Sequence, residues 1–351
     1  MGLIRADSVV FIIGAGCSMD AQIKTSGQML DEIEALIVDD EEWKQYRSLY
    51  YYVKSAILYA DGIRGNFDNN INIERLVGVL RDLKKKEQNP IYPFIGSWNE
   101  KIVELAGNGF SNVDKFDRLL GRKIVDFVTL HRDTQSRVMY YKGFYEFQRS
   151  IQAAIRVFSL NYDLCVEKAK PNDYDLECGF DENNKWSSER FKNSEDINAG
   201  IYLYKLHGSI DWVRDSVAGV LMRYDSPQEN AELIFGTDAK LQSVDPFLFN
   251  VYELRNYSLQ CSLMIIIGYS FNDSHINGLL GQALKASNRK ILVVDVIDRD
   301  DYSDIVLEKL SLDNTHRNQV VHKKMTAKEF LETGLTKEII EGIIPDDDAV
   351  F

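Results

Sequence analysis

The sequence predicts an α/β fold: a mostly parallel sheet with helices on both faces, plus a helical insertion. Three observations predict it. Short apolar runs rich in β-branched residues recur at 8–13, 155–160, 201–206, 264–267 and 291–294, the pattern of strands buried on both faces of a parallel sheet. Helical periodicities lie between them, as layered α/β architecture requires. Residues 40–150 are rich in helix patterns and poor in β-branched runs, which marks an insertion.

Taken in order, Val9-Val10-Phe11-Ile12-Ile13 is the first strand, and Gly14-Ala15-Gly16-Cys17-Ser18 follows it. Glycines there allow a sharp turn and a close backbone approach. A helix opening just after the turn would offer unpaired N–H groups and a positive dipole end to an anion. Two readings stand at this point: a pyrophosphate cradle, or a strand-to-helix turn that merely needs small residues. The dinucleotide fingerprint G-x-G-x-x-G is incomplete, because Met19 occupies the third glycine position.

Thr25 and Gln28 have capping-box spacing ahead of Met29, Leu30, Ile33, Leu36 and Ile37. Within 40–150, Tyr46, Tyr50, Tyr51, Tyr52 and Tyr59 read as packing between helices, against a nucleic-acid stacking alternative. Asn72 caps a helix whose stripe is Ile73, Leu76, Val77, Leu80 and Leu83, closed by Lys84-Lys85-Lys86 and Pro90. A second stripe is Phe116, Leu119, Leu120, Ile124, Phe127 and Val128. Residues 164–200 read as mostly loop, with short strands near 219–224 and 232–235. Asp245 and Pro246 open a helix carrying Phe247, Val251 and Leu254. A strand at 319–322 and the acidic run Asp346-Asp347-Asp348 end the chain. The expected domains are 1–39 with 151–340, the helical insertion 40–150, and an acidic tail 341–351.

Bulk properties narrow the function. A net charge of −13 disfavours an autonomous nucleic-acid binder, which needs a basic footprint. The lysine run at 84–86 complements a helix C-terminus. The four cysteines, Cys17, Cys165, Cys178 and Cys261, include no C-x-x-C pair, which argues against a zinc site on paired thiolates and a secreted disulfide framework. No apolar run approaches the ~18 residues of a membrane span. Arg5 and Asp7 interrupt any secretory apolar segment, so the expected location is cytoplasmic.

Each apolar strand ends in small or polar residues: Gly14-Ala15-Gly16, Asn161 with Asp163, His207-Gly208, Gly268 with Ser270, and Asp295. Open α/β sheets bind ligands outside the carboxyl ends of their strands, so these groups are expected to share one crevice. Each also has an ordinary explanation. Asn161 and Asp163 suit an Asx-turn, Gly268 and Ser270 a helix entry, and Asp273 a plain cap. His207 is either a satisfied structural histidine or a base. Cys17 reads as a small packing residue, since no basic partner accompanies it.

Gly14-Ala15-Gly16-Cys17-Ser18, Leu160-Asn161-Tyr162-Asp163, Lys205-Leu206-His207-Gly208-Ser209 and Gly268-Tyr269-Ser270-Phe271-Asn272-Asp273 together resemble the ordered motifs of SIR2-like domains. The resemblance is closer to the bacterial branch found in anti-phage defence, and Asn72-Ile73-Glu74-Arg75-Leu76 also resembles the helical segment of that branch. It covers most of 8–300. It implies a Rossmann-like NAD-binding sheet. Gly14, Ala15, Gly16, Cys17 and Ser18 would cradle the pyrophosphate. Asn161 would position the nicotinamide ribose and an attacking water, with Asp163 beside the carboxamide. His207 would accept a proton. Gly268 and Ser270 would hold phosphate and Asp295 the adenosine ribose.

The departures direct the expectation further. The resemblance to classical sirtuin deacylases breaks at two features they carry: a four-cysteine zinc module, which this chain cannot build, and a glutamine before the asparagine, where this chain has Leu160. The resemblance then implies an NAD⁺ glycohydrolase that releases nicotinamide and ADP-ribose to deplete NAD during phage infection, with NAD as substrate and no zinc. Homo-oligomerisation or a partner, such as the HerA-like ATPase of the resembled branch, is expected to gate it. The alternatives are an NAD or ADP-ribose sensor without turnover and a zinc-free deacylase.

Overall fold

Strand β1 (Val9–Ile13) is buried at every position, and the sheet is assembled around it. The computed structural model describes residues 4–5, 7–65, 71–85, 100–131, 134–192, 199–235 and 244–345. Lys86, Pro90 and the run Asp346-Asp347-Asp348 lie outside them. Further strands are β2 (Ile155–Ser159), β3 (Leu176–Glu177), β4 (Ile201–Lys205), β5 (Trp212–Arg214), β6 (Leu221–Arg223), β7 (Leu263–Ile267), β8 (Lys290–Asp295) and β9 (Val320–Lys324). Seven of them form one sheet in the order β3-β4-β2-β1-β7-β8-β9. Every pairing in it is parallel, with Phe11 opposite Val157 on one side and Ile265 on the other. This is the Rossmann-like α/β architecture expected.

Burial follows strand position. The inner strands β1, β2, β4 and β7 are buried throughout, as parallel strands covered on both faces must be. Edge strand β9 is half-exposed and carries Lys323 and Lys324, charges that discourage edge-to-edge pairing. On one face, Val10, Ile12, Met264 and Ile266 pack with Leu254, Leu280 and Leu284 from the helices Phe247–Gln260 and Ser274–Leu284. On the other, Phe11 meets Phe144 and Phe147 of the helix Lys142–Ile151 edge to face, at 5.2 and 5.8 Å.

The chain divides into two compact units. The sheet unit comprises Met1–Ile23, Thr129–Leu233 and Leu241–Phe351; the helical unit comprises Lys24–Val128 and Ile234–Lys240. In the helical unit Thr25 and Gln28 form a reciprocal capping box for the helix Ser26–Asp39. The Asn72 carboxamide accepts from Arg75 N at 2.9 Å at the start of the helix Ile73–Lys84. Leu76, Val77, Leu80, Phe116, Leu120 and Ile124 are fully buried, and Tyr46 stacks on Phe116 at 5.0 Å. Tyr59 is exposed.

Local expectations are corrected in two places, the helix at Gly16 and the strand at 232–235, and refined in two others. No α-helix opens at Gly16: Ala15–Ser18 is a single 3₁₀ turn and the helix begins at Ser26. The 164–200 segment includes a short helix, Cys165–Lys168, and edge strand β3. Residues 212–214 pair antiparallel with 221–223 as a small hairpin. In 232–235, Leu233 forms an isolated bridge to Gly208 rather than a strand.

Candidate functional site

Strand order makes β1 the switch point, since the chain winds outward from it to β2 on one side and β7 on the other. Ligands of open α/β sheets sit beside such a point. The turns after β1 and β7 meet there backbone to backbone. Gly14 N donates to Ile267 O at 3.0 Å and Gly16 N to Gly268 O at 2.9 Å. Gly268 is left-handed (φ +61°), and a Cβ on it would lie 2.2 Å from Cys17 N. A Cβ on Gly14 would lie 2.7 Å from Gly268 O. The space these glycines leave is thus filled by the opposite turn. Ala15 is exposed in the first turn, and Ser270 and Asn272 in the second.

Asn161, just past β2, ties into the first turn. Its Nδ2 donates to Gly14 O at 2.9 Å and to Ser18 Oγ at 3.1 Å, and its Oδ1 has no protein partner among the described residues. Ser18 donates to Asp163 Oδ2 at 2.7 Å. Its one hydrogen being so engaged, Tyr141 must donate to Ser18 Oγ across 2.8 Å. Cys165 N donates to Asp163 Oδ1 at 3.0 Å. Ser18, Asn161 and Asp163 are all buried. Ser18 and Asp163 therefore work inward, holding the turn. Burial pushes the Cys17 thiol up to about 12, which keeps it protonated and poorly nucleophilic.

Lys205, at the end of β4, supports this turn from behind. Its buried ammonium donates to the carbonyls of Tyr162, at 3.4 Å, and Asp163, and lies 3.3 Å from Glu167 Oε1. Burial opposes its charge, but Glu167, Asp211 and Asp163 outweigh that and raise its pKa. Burial raises the Glu167 carboxyl, with Lys205 pulling the other way.

His207 follows two residues past β4. Gly208 beside it has φ +90°, and a Cβ there would come within 2.0 Å of Glu232 O, so glycine alone permits the chain to turn at this point. The imidazole is buried. Its Nε2 lies 3.2 Å from Asp273 Oδ2, while Nδ1 is buried without a partner among the described residues. The Tyr162 ring is 6.5 Å away. Asp273 belongs to the segment that continues from Gly268, so His207 reaches the β1–β7 junction through it.

The remaining candidates are more separate. Ser270 Oγ accepts from Asn272 Nδ2 at 3.1 Å. Asp295 ends β8, one strand further along the rim. Its carboxylate takes the Tyr302 hydroxyl, Ile297 N at 2.9 Å, and His322 Nε2 at 3.1 Å. Three contributors escaped the sequence reading: Tyr141, Lys205 and the Asp273 carboxylate as a histidine partner. Lys205 left a signal, a charge closing an otherwise apolar strand. Among the described residues no group of three or more His, Cys, Asp or Glu is arranged to hold a metal ion, and no helix is long and apolar enough to cross a membrane.

Comparison with known proteins finds a family likeness over part of the chain. Residues 155–324, from β2 to β9, match the family model described as a SIR2-like domain. No curated protein is a significant match. A solved Sir2 homologue mutant in complex with ADP-ribose is similar with a TM-score of 0.45 and 11% identity, over 95% of this chain and 92% of that one. A Sir2 homologue–NAD complex has a TM-score of 0.43 and 12% identity, over 95% and 90%. Residues 155–324 are thus similar to a SIR2-like domain, and they lie on a Rossmann-like sheet.

Proposed function

We propose that this chain binds NAD⁺ at the carboxyl rim of its sheet and hydrolyses it to nicotinamide and ADP-ribose. The observation that carries the reading is the buried, unpartnered Nδ1 of His207, within the SIR2-like segment and at a strand end. A buried polar atom without a partner is uncommon and calls for an explanation, and a bound hydroxyl or water is the simplest one.

The residues suit the chemistry. The nicotinamide of NAD⁺ is a cationic leaving group, so its departure needs little acid catalysis. The protein must hold the dinucleotide still and supply an ordered water with a base nearby. His207 would take the proton at Nδ1. Asn161, fixed through Nδ2, would accept from the water or a ribose hydroxyl at Oδ1. Ala15 and Ser270, exposed on the paired turns, would face the pyrophosphate. Asp295 would meet the adenosine ribose only by sharing a carboxylate already engaged by Tyr302 and His322. General-base assistance is worth ~10²–10⁴-fold, and positioning and electrostatics supply the rest.

Depletion of NAD in anti-phage defence is the setting we propose, with assembly of several copies or a HerA-like ATPase as the gate. Purified protein incubated with NAD⁺, alone and with candidate partners, tests the activity through free nicotinamide. A hydrolase releases it without an acylated peptide, a deacylase only with one. Binding without release under every condition would identify a sensor and end the hydrolase reading.

A further inference from the structure

We infer that Asp273 is a positioning residue for His207, selecting the imidazole tautomer that leaves the lone pair at Nδ1. The inference about catalysis rests on the hydrolase reading, but the tautomer does not.

Asp273 is held from three directions. Its Oδ1 caps the helix Ser274–Leu284, accepting from His275 N at 3.1 Å and Ile276 N at 3.5 Å. Its own N–H donates to the Tyr269 hydroxyl at 3.2 Å. The carboxylate is buried. Capping fixes one oxygen, so the other, Oδ2, lies against His207 Nε2 at an ion-pair distance of 3.2 Å. A neutral imidazole carries one N–H and one lone pair. With a carboxylate against Nε2, the hydrogen resides there and the lone pair at Nδ1. That is the atom without a partner. As Nδ1 takes up a proton, the same carboxylate faces the resulting imidazolium.

Capping and tautomer selection can be separated, because serine caps a helix about as well as aspartate but is too short and neutral to replace Oδ2. The test uses full-length protein with ¹⁵N-labelled histidine. The five imidazoles are observed by long-range proton–nitrogen spectra, with His207→Gln giving the assignment. We expect an Nε2–H tautomer at His207 in the parent. In Asp273→Ser it gives way to a mixture or to the Nδ1–H form, with Tm within a few degrees. kcat for nicotinamide release should fall by at least tenfold, up to the ~10²–10⁴-fold that base assistance supplies, with KM within threefold. Asp273→Thr, also a capping residue, replaces serine if that variant does not fold. An unchanged tautomer in the variant overturns the inference whatever the activity. So does a lost tautomer with unchanged kcat. If the parent releases no nicotinamide, the hydrolase reading fails and the spectra alone decide the role of Asp273.

Discussion

The side-chain amide of Asn161 donates to the carbonyl of Gly14, 147 residues earlier in the chain, at 2.9 Å. This bond joins the ends of β1 and β2 and leaves Oδ1 as the amide's remaining polar group. Replacing Asn161 with alanine removes that acceptor and leaves Gly14 O one donor short. Asn161→Ala and His207→Ala should each lower nicotinamide release by ~10²–10⁴-fold. NAD⁺ binding should stay within about tenfold, or ~1.4 kcal/mol. Calorimetric binding alongside turnover separates the two effects; full turnover in both variants would remove these residues from the mechanism.

The turn–turn junction makes a steric prediction. Gly268→Ala places a Cβ 2.2 Å from Cys17 N in a left-handed backbone. Neither is relieved by a rotamer change, and the strain alone is worth about 1–3 kcal/mol. Gly278 is the matched control: it is exposed, sits inside the helix Ser274–Leu284, and a Cβ added to it would meet nothing within 4 Å. Gly278→Ala should stabilise by roughly 0.5–1 kcal/mol. Urea unfolding of both variants checks this, and equal midpoints would show that the two turns are not tightly packed.

Much of the fold was legible because its signals are local. Five apolar runs, the Thr25–Gln28 box and the Asn72 cap need only neighbours in sequence. The strand-end motifs pointed to the rim for the same reason: a parallel sheet puts all its carboxyl ends on one side. What stayed hidden depends on long-range partners. Asp273 reads as a cap from sequence, and it is one, but its second oxygen meets a histidine 66 positions earlier only after β4 and β7 take their places. Ser18 read as a phosphate ligand, whereas its hydroxyl points inward to Asp163 and Tyr141. The glycines looked like ligand clearance, and it is the opposite turn that fills it.

Lys205 offers a stability test close to the site. Its buried ammonium donates to two backbone carbonyls and pairs with Glu167, which is partly exposed. Lys205→Met keeps the length and removes the donors, so a partly exposed carboxylate and two carbonyls lose a charged partner. Leaving buried acceptors unsatisfied in this way costs about 1–3 kcal/mol. The double variant Lys205→Met/Glu167→Gln should recover part of the loss, because the unpaired charge is gone. If the double variant is less stable than the single one in guanidinium titrations, Glu167 is not the charge that Lys205 balances.

In the helical unit, Arg75 donates to both oxygens of Asp61, at 2.6 and 2.8 Å. These bonds hold the Asp61 carboxyl below its ordinary value, against the opposing effect of burial. A depressed carboxylate binds protons less readily folded than unfolded, so its contribution is present above the unfolded pKa of ~3.9 and disappears as pH falls through the folded value. Asp61→Asn removes the group that titrates. Its unfolding midpoint should be lower than the parent's at pH 7, and the gap should narrow as pH falls below about 4. Denaturation followed by circular dichroism from about pH 7 to about pH 2.5 measures both curves across that window. A gap that stays constant across that range would mean the Arg75 pair contributes nothing that depends on the carboxylate charge.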